Sequence, residues 1–351
     1  MGSVTGNFQS ETPLHPAASA FLTEAFDRGW ASPDKRHAES QKVAILLNEA
    51  KESLAGHLGL RREQLEILSD PAIGYHLGIS GLLREGSRLL YPAISRSEVF
   101  AIAEGVPAEK LETDSRGVAQ SPVGEFEDVL AWQSANAETG TIAPTPDTFA
   151  GRIFVDATAS GALLPLPNRW STALWSSRAW QGPAGVSIFA IGDRAIWRNA
   201  LPHFDQRISS SDFSVPLTIA SAIALDAFTA DYKERRSEIR ALNHEIRDFL
   251  HNEIGDVDIA GGIDATLPHL LSFSFLYIDA EILMNELDRR GFAVDSGSAC
   301  NSANMEPSHV LAAMGLLTHG NIRIALHNEV NRNEVIEFLK TLQVLIAEMR
   351  A

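Results

Sequence analysis

The chain has 351 residues, of which 45% are hydrophobic and 7% aromatic, so it can bury a full core and is not a disordered or repeat protein. Its 29 Lys and Arg against 45 Asp and Glu give a net charge of −16, which argues against broad nucleic-acid binding. It has one cysteine, no secretory leader pattern and no apolar run of the about 18 residues that span a membrane. We expect a globular, soluble, cytoplasmic protein of at most two domains, with a small molecule or a protein as its partner.

The first predicted element is an amphipathic helix at residues 39–58, where apolar residues recur every three or four positions. The run from Ile153 to Val155 is typical of a buried parallel strand, and it places Asp156 at the carboxyl end of that strand. Pro216 opens a long helical pattern that extends to Leu250. We expect this helix to join two domains.

The C-terminal third alternates strand and helix patterns. In "HLLSFSFLYID" serine and phenylalanine alternate as in a half-exposed strand. Next come a helix at 280–290 stopped by Gly291, a strand into Asp295, a helix beginning near Pro307, the strand "NIRIALH" and a last helix from about Glu334. These patterns predict a small α/β domain at 246–351, completed by residues 1–12, beside a larger α/β domain at 13–245.

Several motifs follow one another in a fixed order along nearly the whole chain: "TPLHPAASAFLTEAF", "GWASPDKRHAES", "SANAETGTIAP", "IFVDATAS", "SSRAWQGPAGVSIFAIG" and "SGSACNSANMEPSHVLAAMGL" with "NIRIALH". This order resembles the cysteine desulfurases, in the class V aminotransferase family of pyridoxal phosphate enzymes. The resemblance implies an α/β protein of the fold type I architecture, with a mostly parallel seven-stranded sheet in the large domain and a smaller C-terminal α/β domain. It also implies a dimer with active sites at its interface.

The resemblance places an alanine where the family has its essential lysine. In the family that lysine holds the cofactor as an imine, which needs a primary amine. The segment "SSRAWQGPAG" aligns Ala179 with the lysine and Arg178 with the preceding histidine. The six lysines of the chain lie far in sequence from the strand ends that would surround the cofactor: Lys35, Lys42, Lys51, Lys110, Lys233 and Lys340. We therefore expect no covalently bound cofactor.

The family's phosphate-binding loop aligns with "SDPAIGYH". Ser69 persists, but Asp70 adds a negative charge, Pro71 lacks an N–H and Ala72 replaces a threonine. A carboxylate at 4 Å from a phosphate costs on the order of 1 to 4 kcal/mol. These changes predict weakened phosphate binding.

The other cofactor contacts that the resemblance implies have also changed. The stacking histidine becomes Arg96, an asparagine becomes Ala137, a glutamine becomes Ala159, and a threonine lent by the partner subunit becomes Asp212. Asp156, Ser69 and Ser176 remain as residual cofactor contacts. An arginine-lined pocket for another anion, built on Arg96 and Arg178, is an alternative use of the site.

Two substrate-side residues match the family. Cys300 keeps the context that carries the family's persulfide, and Arg323 matches the arginine that binds the substrate carboxylate. Each has a plainer alternative: Cys300 as a small buried thiol, and Arg323 as a partner in a surface ion pair. The plainer alternative for Asp156 is a carboxylate that caps the next segment. The histidines show no metal-ligand spacing, so no metal site is expected.

Three functions are compatible with these residues. The first is a pseudoenzyme related to cysteine desulfurases that forms a homodimer, or a heterodimer with an active paralogue, or accepts sulfur on Cys300 together with a sulfur-acceptor protein. The second is an active desulfurase or lyase with atypical residues. The third is a scaffold or a protein that binds a small anion. The residues favour the first function over the third, and the third over the second.

Overall fold

The computed structural model describes residues 6–28, 31–202, 213–297 and 307–351. Eight helices lie in these residues: α1 Pro16–Arg28, α2 Ala38–His57, α3 Pro71–Ser80, α4 Ser97–Ala103, α5 Val215–Phe249, α6 Ala280–Arg289, α7 His309–Ala313 and α8 Arg332–Arg350. The same residues contain twelve strands: β1 Gly6–Asn7, β2 Leu65–Leu68, β3 Leu89–Pro92, β4 Ala108–Leu111, β5 Val129–Gln133, β6 Arg152–Asp156, β7 Thr172–Ser176, β8 Ser187–Ile191, β9 Val257–Ile259, β10 Leu270–Phe275, β11 Phe292–Ala293 and β12 Asn321–Ala325.

A seven-stranded sheet with the order β2-β8-β7-β6-β5-β3-β4 forms the centre of the larger core. Only β8 runs against its neighbours, while β7, β6, β5, β3 and β4 pair in parallel. The central strands are buried on both faces, as expected when helices cover each side of a parallel sheet. The predicted α/β class and the mostly parallel seven-stranded sheet are therefore confirmed.

A second core surrounds the three-stranded antiparallel sheet β12-β10-β9, against which α6 and α8 pack. The short parallel pair β1 and β11 joins the N-terminal segment to this core. Phe8 is fully buried there, with ring centroids 6.4 Å from Phe292 and 4.8 Å from Phe338. The association of the N-terminus with the C-terminal core follows from these contacts.

The helix α5 contributes to both cores. Its N-terminal half packs Val215, Ile219 and Leu225 against the larger core, and its C-terminal half packs Leu242 and Ile246 against the second core. The helix that the sequence predicts from Pro216 thus begins at Val215, with Ser214 as its N-cap. The domain boundary at 245 stays a prediction.

The prediction that β10 is half exposed is wrong, because all six of its residues are buried. Ser272 and Ser274 are tolerated inside because their hydroxyls accept hydrogen bonds from the Asn321 side-chain amide, at 3.0 and 3.2 Å. Serine was interpreted as a solvent-facing residue, whereas here it is a hydrogen-bonded core residue. Among the described helices, none is long and apolar enough to cross a membrane.

Candidate functional site

A cavity of about 930 Å³ lies at the carboxyl ends of the central parallel strands, between the two cores. Loops after parallel strands converge at one edge of a sheet, which is where α/β proteins place ligand sites. We call it the central cavity. Its wall includes seven of the residues that the sequence singled out: Arg96, Ala137, Ala159, Ser176, Arg178, Ala179 and Arg323.

Two of the other candidate residues, Asp156 and Ser69, are not in this wall. Asp156 is 4% exposed and lies behind it, and Ser69 is exposed just before α3. Cys300 and Asp212 lie outside the described residues. The expectations for these last two therefore stay predictions.

The carboxylate of Asp156 is engaged by neighbouring side chains. The Tyr75 hydroxyl donates to one carboxylate oxygen at 2.7 Å, while the hydroxyl and backbone N–H of Thr158 donate to the other at 2.6 and 2.9 Å. Burial and the charge of Asp156 hold the pKa of Tyr75 well above its ordinary value, so the phenol stays protonated and remains a donor. Tyr75 was missed in the sequence, although it lies one turn into the helix that follows the altered phosphate loop.

Arg96 provides a positive charge near this carboxylate. Burial opposes that charge, but Tyr75, Asp156 and Glu98 together raise the pKa of Arg96 above its ordinary value. Its Nε lies 3.6 Å from a Glu98 carboxylate oxygen. The position that the resemblance assigns to a stacking histidine therefore holds a guanidinium that interacts electrostatically with Asp156.

At the N-terminus of α3, the segment that aligns with the family's phosphate-binding loop is capped by one of its own side chains. The Asp70 carboxylate accepts a hydrogen bond from the Ala72 backbone N–H at 2.8 Å, and Pro71 begins the helix. An aspartate at this position caps the helix and interacts favourably with its dipole. The chain itself thereby fills part of the anion site that a helix N-terminus offers: one N–H group is hydrogen-bonded, and the positive potential is partly neutralised.

No lysine lines the central cavity, and all six lysines of the chain lie within the described residues. Ala179 lies on a 3₁₀ turn after β7 and is half buried against Gly161. Lys51, on α2, is the one whose pKa is lowered by burial, but its amine lies 5.5 Å from the Phe213 ring centroid and outside the cavity wall. The cavity therefore has no primary amine of its own for an imine.

The arginine expected to bind a substrate carboxylate already has an acidic neighbour. Arg323 donates to the Asp295 carboxylate at 3.4 Å and to the Ser10 hydroxyl at 3.3 Å. Ser10 in turn donates to Asp295 through its backbone N–H at 2.6 Å and its hydroxyl at 2.5 Å. Asp295 thus holds the N-terminal segment and Arg323 together.

The same N-terminal segment reaches across to Arg178, which forms an ion pair with Glu11 at 2.5 Å. Both side chains are at least half exposed, so this pair contributes little to stability. Its effect is on charge, because the carboxylate neutralises the arginine at the edge of the cavity. Ser10 and Glu11 carry no motif, and only their place next to the two arginines in the fold reveals them.

Pyridoxal phosphate does not fit the residues present. The cofactor needs an amine, a partner for its pyridine nitrogen and a cradle for a dianion. In the described part of the chain the wall offers no lysine, Asp156 is occupied by Tyr75 and Thr158, and a carboxylate caps α3. Among the described residues there is also no cluster of His, Cys, Asp and Glu able to hold a metal ion.

The sequence and the fold are similar to those of known proteins. Residues 213–338 match the family described as aminotransferase class-V. A cysteine desulfurase of Azotobacter chroococcum mcd 1 is 25% identical, covering 94% of this chain and 88% of its own length. The cysteine desulfurase NifS of Azotobacter vinelandii is 24% identical, with the same coverage of 94% and 88%.

Solved structures show the same fold. A NifS-like protein superposes with a TM-score of 0.85 at 21% identity, covering 97% of this chain and 99% of its own. The cysteine desulfurase of Thermococcus onnurineus NA1 superposes with a TM-score of 0.83 at 16% identity, covering 97% and 94%. The chain therefore contains an aminotransferase class-V domain and has the cysteine desulfurases as its homologues.

Proposed function

We propose that this cysteine-desulfurase-like protein is a pseudoenzyme that forms no imine with pyridoxal phosphate. The observation that carries the proposal is the absence of lysine from the wall of the central cavity, when every lysine of the chain lies in described residues. The contacts of Asp156, Asp70 and Arg323 support it further. Each of these charged groups, which would serve a cofactor or substrate, interacts instead with another part of the chain.

Titration of the purified protein with pyridoxal phosphate tests this proposal. We expect no imine absorbance band and no adduct after borohydride reduction and mass spectrometry. Ala179→Lys is the matched variant, because it restores the amine while leaving Asp70, Tyr75 and Arg96 in place. We expect the variant to remain inactive in sulfide release from L-cysteine. An adduct at one equivalent with the parent protein would contradict the proposal. A fully active variant would show instead that the missing amine alone, and not the changes at Asp70, Tyr75 and Arg96, accounts for the loss of activity.

The role that remains is sulfur transfer or assembly. In the first case the Cys300 thiol takes the outer sulfur of a donor persulfide: the donor S–S bond breaks, a new S–S bond forms on Cys300 and the donor leaves as a thiol. In the second case the chain forms a dimer with itself or with an active paralogue in the cytoplasm. Mass spectrometry of Cys300 after exposure to a persulfide, and light scattering with and without the paralogue, separate these roles.

An active desulfurase is the second candidate, and the curated homologues along nearly the whole chain favour it. In that case, cofactor and L-cysteine together should release sulfide, and Cys300→Ala should abolish the release. Cys300→Ala changes no described residue of the cavity wall, so it tests the thiol itself. A rate equal to that of free cofactor in solution would exclude this candidate.

A further inference from the structure

A row of positive charge lies on one exposed face of α5. Lys233, Arg236 and Arg240 are three and four residues apart, so they lie on the same face of the helix, and all three are exposed. We call these three residues the basic stripe. At a rise of about 1.5 Å per residue the stripe is about 10 Å long. It presents three adjacent cations on the middle of the helix that both cores share.

The three cations have no partner of opposite charge in the described part of the chain. Their side chains make no hydrogen bond or ion pair there, and no residue three or four positions from any of them is an acid. Like charges at these spacings destabilise a helix, so the helix keeps the stripe at a cost. The nearby acids of α5 interact elsewhere: Asp231 with His15, Glu238 with Arg235, and Glu245 with Arg332.

Unpaired cations on one face stand out in this acidic protein. Asp and Glu outnumber Lys and Arg by 45 to 29, and exposed cations elsewhere pair with a neighbouring acid, as Lys42 does with Glu39 at 2.8 Å and Arg116 with Asp114 at 3.0 Å. A local cluster of unpaired charge attracts groups of opposite charge within the Debye length, which is about 10 Å at 0.1 M salt. The stripe is therefore suited to a partner that brings carboxylates.

The basic stripe lies beside the central cavity. Tyr232, which precedes Lys233, lines the cavity and stacks on Phe228 with ring centroids 5.9 Å apart. Burial raises the pKa of Tyr232, and the charges of Arg236 and Arg240 oppose this rise, so both guanidinium groups are close enough to act on the phenol. A partner on the stripe would therefore lie next to one wall of the cavity.

We propose that the basic stripe is a docking surface for an acidic segment of a partner protein. An extended segment places the side chains of one face about 7 Å apart, so two or three carboxylates match the length of the stripe. The net charge of −16 disfavours a nucleic acid or an anionic membrane, whose charge extends far beyond the stripe and is repelled by the rest of the protein. This inference goes beyond the proposed function and does not depend on it, since none of the three side chains lines the central cavity.

Fluorescence anisotropy of a labelled hexaglutamate peptide, added to the full chain at low ionic strength, tests the proposal. We expect the peptide to bind, and to bind less tightly as salt is added. Lys233→Gln, Arg236→Gln and Arg240→Gln combined should weaken binding about fivefold or more, because three exposed charged contacts are lost. All three side chains are exposed and without hydrogen bonds in the described part of the chain, so a thermal melt of this stripe variant should match the parent.

The matched control combines Lys42→Gln, Arg116→Gln and Arg289→Gln. It removes one lysine and two arginines from three separate exposed ion pairs, so it changes the net charge as much as the stripe variant does. Its affinity for hexaglutamate should stay within about twofold of the parent, since only the long-range charge has changed. A parent protein that does not bind the peptide, or an equal loss of affinity in the two triple variants, would overturn the inference.

Other occupants of the stripe give different results. A hexathymidine oligonucleotide or phosphatidylserine vesicles that bind more tightly than hexaglutamate, and lose binding in the stripe variant, would assign the stripe to another class of partner. A parent dimer that dissociates to monomers only in the stripe variant, measured by light scattering, would show that a second copy of the chain covers it. Either result overturns the inference, whereas an imine adduct with pyridoxal phosphate bears on the proposed function alone.

Discussion

Tyr75 determines how Asp156 is used in this protein. Its hydroxyl donates a hydrogen bond to one oxygen of the carboxylate that the family resemblance assigns to the pyridine ring. The centroid of its ring lies 5.5 Å from that of Phe154. This hydrogen bond therefore makes Asp156, the expected cofactor contact, part of the hydrogen-bonded core. The residue alters the chemistry of the site without lining the cavity.

Tyr75→Phe should lower the free energy of unfolding by about 1–3 kcal/mol, because it leaves a buried acceptor without one of its donors. Urea denaturation measures the change. Tyr277→Phe is the matched control, since Tyr277 is 88% exposed and its hydroxyl loss should change stability by less than about 0.5 kcal/mol. Equal effects of the two substitutions would show that the bond to Asp156 contributes nothing.

His269 makes stability depend on pH. Desolvation, together with the charge of His327, lowers the pKa of His269 from 6.5 to about 4. The unfolded chain therefore binds this proton more readily, so stability is fully present above about pH 6.5 and is lost as the pH falls towards about 4. The loss amounts to up to roughly 3 kcal/mol.

Urea denaturation at several pH values checks this dependence. His269→Gln should flatten the loss of stability between about pH 6.5 and 4. His251→Gln, at an exposed position, should retain the slope of the parent protein. A His269→Gln variant with an unchanged slope would assign the acid sensitivity to other groups.

At the scale of elements, α3 lies unusually close to the sheet because two of its residues have no side chain. A Cβ atom on Gly74 would lie 2.3 Å from Leu174, and one on Gly78 would lie 2.4 Å from the Phe154 ring. This close approach places Asp70, the N-cap, and Tyr75, between the two glycines, near the carboxyl ends of the strands. The glycines thus set the position of the helix that closes one end of the site.

Gly78→Ala should destabilise the protein by about 1–3 kcal/mol, because the added methyl must displace the buried Phe154 ring. Gly56→Ala, in α2, is the opposite case, since a Cβ there has nothing within 4 Å. It should stabilise by roughly 0.5–1 kcal/mol through helix propensity alone. Thermal unfolding of the two variants checks this difference in sign.

At the scale of the whole molecule, periodicity predicted most of the architecture. The helix α2 and the strand β6 lie within a residue or two of the predicted segments, because their apolar residues report directly on burial. The burial of β10 was missed because the partner of its serines, Asn321, is about 50 residues away in sequence.

The candidate site was only partly predictable, for a similar reason. The motifs identified seven residues of the cavity wall because the motifs follow one another in a set order, and most of the seven lie at or just after the end of a strand. Tyr75, Ser10 and Glu11 were missed as site residues. Their importance depends on a neighbour that the fold supplies, such as Asp156 for Tyr75 and Arg178 for Glu11.

The 35 residues of α5 form a rod about 52 Å long that both cores share. Melting one core would expose half of this rod and remove the packing that keeps the other half helical, since long helices in water depend on tertiary contacts. The two cores should therefore unfold together on heating, in one cooperative transition. A cut after residue 245 would fall within the rod, between Leu242 and Ile246, and would leave both pieces with unsatisfied apolar surface.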